Sequence, residues 1–120
     1  MEHRDRNLRL TAFIDRQYKE ILGRSGDAGG VNFWANHILS GASVEDVSKE
    51  FVFSPEFTNK NYSQIDFLKI LYRAFMGREA EADGLSYWQG RMNEGMNRQE
   101  VVSSFAYSKE FKDIVGSFGI

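Results

Sequence analysis

Two adjacent aromatic pairs, Phe33-Trp34 and Tyr87-Trp88, are the first residues of this sequence whose type could do chemistry, because flat ring faces stack on sugars and bases. Both tryptophans fall on the apolar stripe of their segments and read as core anchors where two halves of the fold would meet. Phe33 and Tyr87 lie off that stripe and are the better ligand candidates. Arg24 and Arg78 each follow a glycine directly. A guanidinium there can satisfy the last carbonyls of a helix or pair with an acid of the next helix; the sharper alternative is a clamp for an anion or carboxylate. Glu79, Glu81 and Asp83, followed by Gly84, imitate the opening of a calcium loop. The imitation breaks at the closing position, where Gly90 stands in place of a bidentate glutamate, and the matching stretch upstream offers only Ser25, Asp27 and Gly29. These acids therefore read as charges balancing a helix N-terminus, and no metal is expected.

Catalytic signals are sparse. Of the two histidines, His3 lies in the lead and His37 stands alone in its segment; cysteine is absent, so thiol nucleophiles, disulfides and cysteine metal sites are excluded. No strained nucleophile turn and no phosphate-cradling glycine loop is visible. Glu45, Asp46 and Glu50 could in principle supply a glycosidase-type carboxylate pair, but they read as the solvated face of a helix. No catalytic residue and no cofactor is expected.

These residues need a scaffold, and composition bounds what it can be. The chain has 120 residues with 15 Lys+Arg against 17 Asp+Glu, a formal net charge of -2 and 42% hydrophobic residues, as one ordinary domain has. So balanced a charge provides no basic field for nucleic acid or an anionic membrane. No apolar run is long enough to span a bilayer, and the start alternates charges where a secretory signal would be apolar, so neither membrane insertion nor an export signal within this chain is expected.

An internal repeat organises the sequence. A shift of 54 positions superposes residues 13–57 on residues 67–111 without a gap, and pairs Phe13 with Phe67, Tyr18 with Tyr72, Gly23 with Gly77, Arg24 with Arg78, Gly30 with Gly84, Trp34 with Trp88, Gly41 with Gly95, Phe51 with Phe105, Glu56 with Glu110 and Phe57 with Phe111. Each copy reads as a string of three to four helices. Leu10, Phe13, Ile14, Tyr18, Ile21 and Leu22 recur at helical spacing, as do Phe67, Leu68, Leu71, Tyr72, Phe75 and Met76, and Gly23 and Gly77 should end these first helices in the left-handed conformation. Asp27 and Glu81 open the second helices, which Gly41 and Gly95 stop. Ser43 and Asn97, each with an acid three residues on, should cap the third, and Ser54-Pro55 should start a short fourth.

The expected fold is all-α: two tandem copies of a three-to-four-helix unit packed with approximate two-fold pseudosymmetry into one domain, residues 1–120, with a polar link over residues 58–64. Ile114, Val115 and Phe118 extend the pattern past the second copy and should cover an otherwise open end. Met1 to Asn7 should be loosely ordered, and Tyr62, Phe53 and Tyr107 would form an exposed patch if they project outward.

The series Tyr18, Leu22-Gly23-Arg24, Asp27, Gly30, Phe33-Trp34, Gly41, Val47, Phe51 and Ser54-Pro55-Glu56-Phe57 resembles the bacterial family catalogued as domain of unknown function 4214. The second copy carries the same series as Tyr72, Gly77-Arg78, Glu81, Gly84, Tyr87-Trp88, Gly95, Val101, Phe105 and Ser108-Lys109-Glu110-Phe111, with Lys109 in the proline position. The chain is also similar, more distantly, to phycobilisome linker domains. The resemblance implies an accessory or recognition module within a larger secreted or cell-surface protein, with no catalytic role and no agreed ligand residues.

The expected function is thus non-catalytic recognition or assembly, foremost the binding of a polysaccharide through Phe33, Tyr87, Trp34 and Trp88, with Arg24 and Arg78 in reserve. The alternative is a protein-protein interaction or self-assembly module, which would make a homo-oligomer. An accessory domain of a glycan-modifying enzyme stands third.

Overall fold

Each copy begins with an amphipathic helix that widens into a π turn just before its glycine. In the computed structural model, which describes residues 2–120 and the side chains from Leu8 onward, helix α1 is Glu2–Gln17 and runs into a first π turn at Tyr18–Leu22; α2 is Ala28–Leu39, α3 Val44–Val52 and α4 Pro55–Thr58. The second copy has α5 at Gln64–Leu71 and a second π turn at Tyr72–Met76, then α6 at Ala82–Asn93, α7 at Arg98–Ala106 and α8 at Lys109–Ser117. Each of these starts except that of α1 lies 54 residues from its counterpart, and no strand is present among the described residues. The fold is all-α, as the pattern required. Helix α1 reaches back to Glu2, so the lead expected to be loosely ordered is helical over residues 2–7; Met1 lies outside the described residues.

Local chemistry sets the boundaries. Gly23 (φ 71°) and Gly77 (φ 66°) close the π turns in the left-handed region, where a Cβ would be strained. Ser43, Ser54, Ser63, Asn97 and Ser108 each accept a backbone N–H at the start of a helix, and Asn97 with Glu100 completes a reciprocal capping box. Asp27 caps α2 by accepting from the Gly30 N–H at 2.6 Å, whereas Glu81 holds the equivalent place without a side-chain bond.

The core is built between the copies. Phe111 of the second copy packs on Phe13 of the first, with ring centroids 6.0 Å apart; their counterparts Phe57 and Phe67 pack with the roles of the copies exchanged, at 6.3 Å. Helix α3 lies against α7 and the two π turns touch, so equivalent elements meet. Phe118 stands edge-on to Phe13 at 5.6 Å and, with Ile114 and Val115, covers the end of the fold as expected. At the other end, residues 59–63 join α4 to α5, and Asn61 (φ 54°) is the single non-glycine left-handed residue among those described.

The copies differ inside. Gln17, fully buried, donates to Ser48 Oγ at 3.0 Å and accepts from Arg16 at 2.8 Å; the corresponding residues of the second copy are the apolar Leu71 and Val102, also fully buried. A buried amide and hydroxyl that satisfy each other take the place of two aliphatic side chains, an exchange that is close to neutral only because both partners change together. Arg16 itself donates to the carbonyls of Ala74 and Arg73 at 2.7 and 3.1 Å, which ties the first helix of one copy to the π turn of the other.

Candidate functional site

The exposed aromatic residues rest on α2 and α6. In α2, Val31, Ala35 and Ile38 turn inward and leave Phe33 on the outer side, 60% exposed; Tyr87 is 57% exposed at the equivalent place on α6. Each ring stands edge-on to its neighbouring tryptophan, Phe33 to Trp34 at 5.0 Å and 80°, Tyr87 to Trp88 at 5.1 Å and 84°. The tryptophans depart from expectation. Neither anchors the meeting of the two copies: both are half-buried and lie on their own copy's third helix, Trp34 on Phe51 and Trp88 on Phe105, each at 5.0 Å. Each exposed ring leans edge-on against its tryptophan.

Around Phe33 the polar side chains are close. The His37 imidazole lies almost parallel to the Phe33 ring, at 11° and 6.0 Å, and its Nε2 is 3.9 Å from a carboxylate oxygen of Glu50 on α3. Phe33 thus offers a flat apolar face beside a donor and an acceptor, which is what a sugar ring with one C–H face and flanking hydroxyls requires. At the second platform Arg91 replaces His37 and Ser104 replaces Glu50. Sequence spacing singled out Phe33 and Tyr87, but it left His37 and Glu50 unconnected, because only the packing of α2 on α3 joins them.

Arg24 and Arg78 are not part of these platforms. Arg24 forms a two-pronged pair with Glu56, 2.7 Å at both prongs, while its guanidinium carbon lies 5.1 Å above the Tyr18 ring. Arg78 repeats the arrangement with Glu110 at 3.2 and 3.3 Å and with Tyr72 at 5.2 Å. The partner acid belongs to the fourth helix of each copy, not to the helix that follows, and the fork that an anion clamp would present is already closed on a carboxylate. A polar hollow of about 430 Å³ beside Arg78 also holds Arg16 and Arg73, and these too are engaged, Arg16 by backbone carbonyls and Arg73 by Glu79 at 3.8 Å.

The hydrogen bonds that Arg24 donates hold the Glu56 carboxyl below its ordinary range, and those that Arg78 donates to Glu110 keep Arg78 further in its charged form. A carboxyl depressed in the folded state contributes stability that is present above its unfolded value and lost as the pH falls through its lower folded value. Glu56→Gln should therefore lower the melting temperature slightly at neutral pH, and the gap from wild type should close on acidification below the ordinary glutamate range. Thermal melts from pH 7 to pH 3 would show this; a gap that does not change with pH would sink it.

The remaining sequence candidates do not assemble. Glu79 faces Arg73, Glu81 and Asp83 are exposed, and no three carboxylate or imidazole groups among the described residues come together as a metal site needs, so the partial calcium loop does not close into a cage. Of the acidic face of α3, Asp46 accepts from the Tyr107 hydroxyl at 3.0 Å and Glu50 faces His37. No helix among the described residues is long and apolar enough to cross a membrane.

The family model described as Domain of unknown function (DUF4214) matches residues 2–48 and again residues 48–115. No curated protein and no solved structure matches the chain.

Proposed function

We propose, from the premise that this chain belongs to the DUF4214 family, that it works as a non-catalytic recognition module that holds a polysaccharide against its two aromatic platforms, as part of a larger secreted or cell-surface protein. The observation that carries the reading is the recurrence of an exposed ring braced edge-on by a half-buried tryptophan, at equivalent places in both copies. Surface rings cost solvation, and a pair of them kept open at fixed orientation suits a ligand whose own units repeat. His37 and Glu50 would then bond hydroxyls of the sugar stacked on Phe33, and Arg91 those of the sugar on Tyr87.

Two weak contacts to one polymer reinforce each other, since the second forms at a high effective concentration. A screen of the domain against bacterial and host glycans, with calcium and with chelator, should find binding that Phe33→Ala and Tyr87→Ala each weaken roughly a hundredfold, the low end of the avidity gained by linked sites. The double variant should not bind. Both positions are exposed, so melting temperatures should hardly move. Absence of glycan binding by the well-folded wild type, or a double variant that binds like it, would refute the reading and leave protein-protein assembly, detectable as a mass that rises with concentration.

A further inference from the structure

Between the copies, on the side of the link, lies a cavity of about 360 Å³ lined by Val52, Phe53, Phe57, Tyr62, Phe67 and Arg98, with Thr58 and Asn61 at its rim. Its size is in the range of small-ligand sites, which begin at roughly 300 Å³. The floor is aromatic: Phe57 and Phe67 are buried, and the Tyr62 ring stands 5.2 Å from that of Phe57. Arg98 forms one side. Its guanidinium carbon lies 4.5 Å above the Phe67 ring, and one Nη donates to the Tyr62 carbonyl at 2.8 Å, which fixes the group in place. Among the described residues no carboxylate lies within ion-pair distance of Arg98, so a half-buried cation borders an apolar hollow without a counter-charge.

The far end of the fold shows how the chain treats the same surroundings when it closes them. There Phe13 and Phe111 stand where Phe67 and Phe57 stand here, and the ring of Phe118 covers Phe13 edge-on at 5.6 Å; the position of Arg98 is taken by the uncharged Val44. One end therefore carries its own phenyl ring, with an aliphatic side chain in place of the guanidinium. The other carries an open hollow and a fixed guanidinium.

We propose that this cavity binds a ligand that joins an aromatic ring to a carboxylate, the ring entering between Phe53 and Tyr62 above the buried Phe57 and the carboxylate pairing with the free edge of Arg98. A planar guanidinium with one of its N–H groups committed among the described residues suits a two-pronged carboxylate, and its stacking on Phe67 leaves that edge directed. The carboxylate could be that of a free aromatic acid or the end of a peptide that terminates in phenylalanine.

The test is a titration of the isotopically labelled 120-residue chain with 3-phenylpropanoate, followed by amide chemical shifts. Saturable shifts are expected at Asn61, Tyr62 and Arg98 and not at Phe33 or Tyr87. The uncharged amide of the same compound should bind at least about tenfold more weakly, as the loss of a charge-assisted pair implies. Arg98→Gln should bring the acid down to the affinity of the amide, and Thr58→Trp, at the exposed rim, should block both. If Arg98→Gln fails to fold, the acid-amide comparison on wild type decides by itself. A peptide that ends in phenylalanine with a free carboxylate, set beside its amidated form, distinguishes the sources: tighter binding than phenylpropanoate marks a chain end, weaker binding a small acid. Equal affinity for acid and amide, shifts that map to the outer platforms, or no saturable shift would overturn the proposal.

Discussion

Phe111→Ala is expected to lower the stability of the whole domain by about 3–5 kcal/mol, and Phe57→Ala by a comparable amount. Phe111 is fully buried and meets Phe13 of the other copy at 6.0 Å and Phe75 of its own at 4.8 Å, so truncation empties a space that neither copy can fill alone. Domains of this size have about 5–15 kcal/mol in total, so either variant would lose a large share of it, with a fall in melting temperature of roughly 10–25 °C. The form of the melt matters as much as its midpoint. Because Phe57 and Phe111 each pack under the first helix of the opposite copy, damage on one side removes support from both, and calorimetry should still record a single transition. Two transitions, with only the altered copy melting early, would show that the copies fold independently.

The second large effect concerns two glycines that do not need positive φ. Gly30 and Gly84 lie at the start of α2 and α6, where a Cβ at either would overlap the hydroxyl of Tyr18 or Tyr72. Those tyrosines cannot swing aside: each is 5% exposed, held edge-on by Phe51 at 4.9 Å or Phe105 at 5.2 Å, and covered by Arg24 or Arg78. Gly30→Ala and Gly84→Ala should each cost about 1–3 kcal/mol, the usual cost of overfilling a packed site. Removal of the hydroxyl should return part of it. In the Gly30→Ala, Tyr18→Phe pair the new Cβ keeps ordinary contact with the ring at 3.5 Å and a tight one with the Asp27 carboxylate at 3.2 Å; at Gly84 the ring itself remains at 3.2 Å, so relief is again partial. A double-mutant cycle by chemical denaturation would measure this, and strictly additive losses would count against the clash.

Much of this architecture could be read from the sequence because the features that announce it are local. A left-handed glycine after a helix, as at Gly23 and Gly77, or a Ser or Asn with an acid three residues on, as at Ser43 and Asn97, acts within one turn and leaves its mark there. The π turns left no such mark. Widening the helix over five residues alters its local twist, yet Tyr18, Ile21 and Leu22 keep a spacing that an ordinary helix also allows. The partner of Arg24 escaped for a different reason: Glu56 is 32 residues away, and a charge pair across two helices has no periodicity, although both members recur in the second copy. The tryptophans show the limit of the apolar stripe. It tells which side of α2 faces inward and not how deep the helix sits, so the stripe alone predicts Trp34 and Trp88 at the centre, whereas they stand at the edge. The exposure of Phe33 and Tyr87 followed from the same stripe, by exclusion, while the link-side cavity depends on Arg98 reaching Phe67 and Tyr62 and could not be read at all.

The exchange of phenylalanines across the core has one more consequence. A first copy recognises a second copy by surfaces that carry no record of which chain supplied them; only the stretch over residues 59–63, bent at the left-handed Asn61, keeps the two in one molecule. Were that stretch too short or too straight to fold back, the same contacts could be satisfied between neighbouring chains, each lending a half to the other, and two molecules would interlock with nothing in the core rebuilt. Straightening the bend at Asn61 would therefore favour an intertwined pair over a self-contained unit.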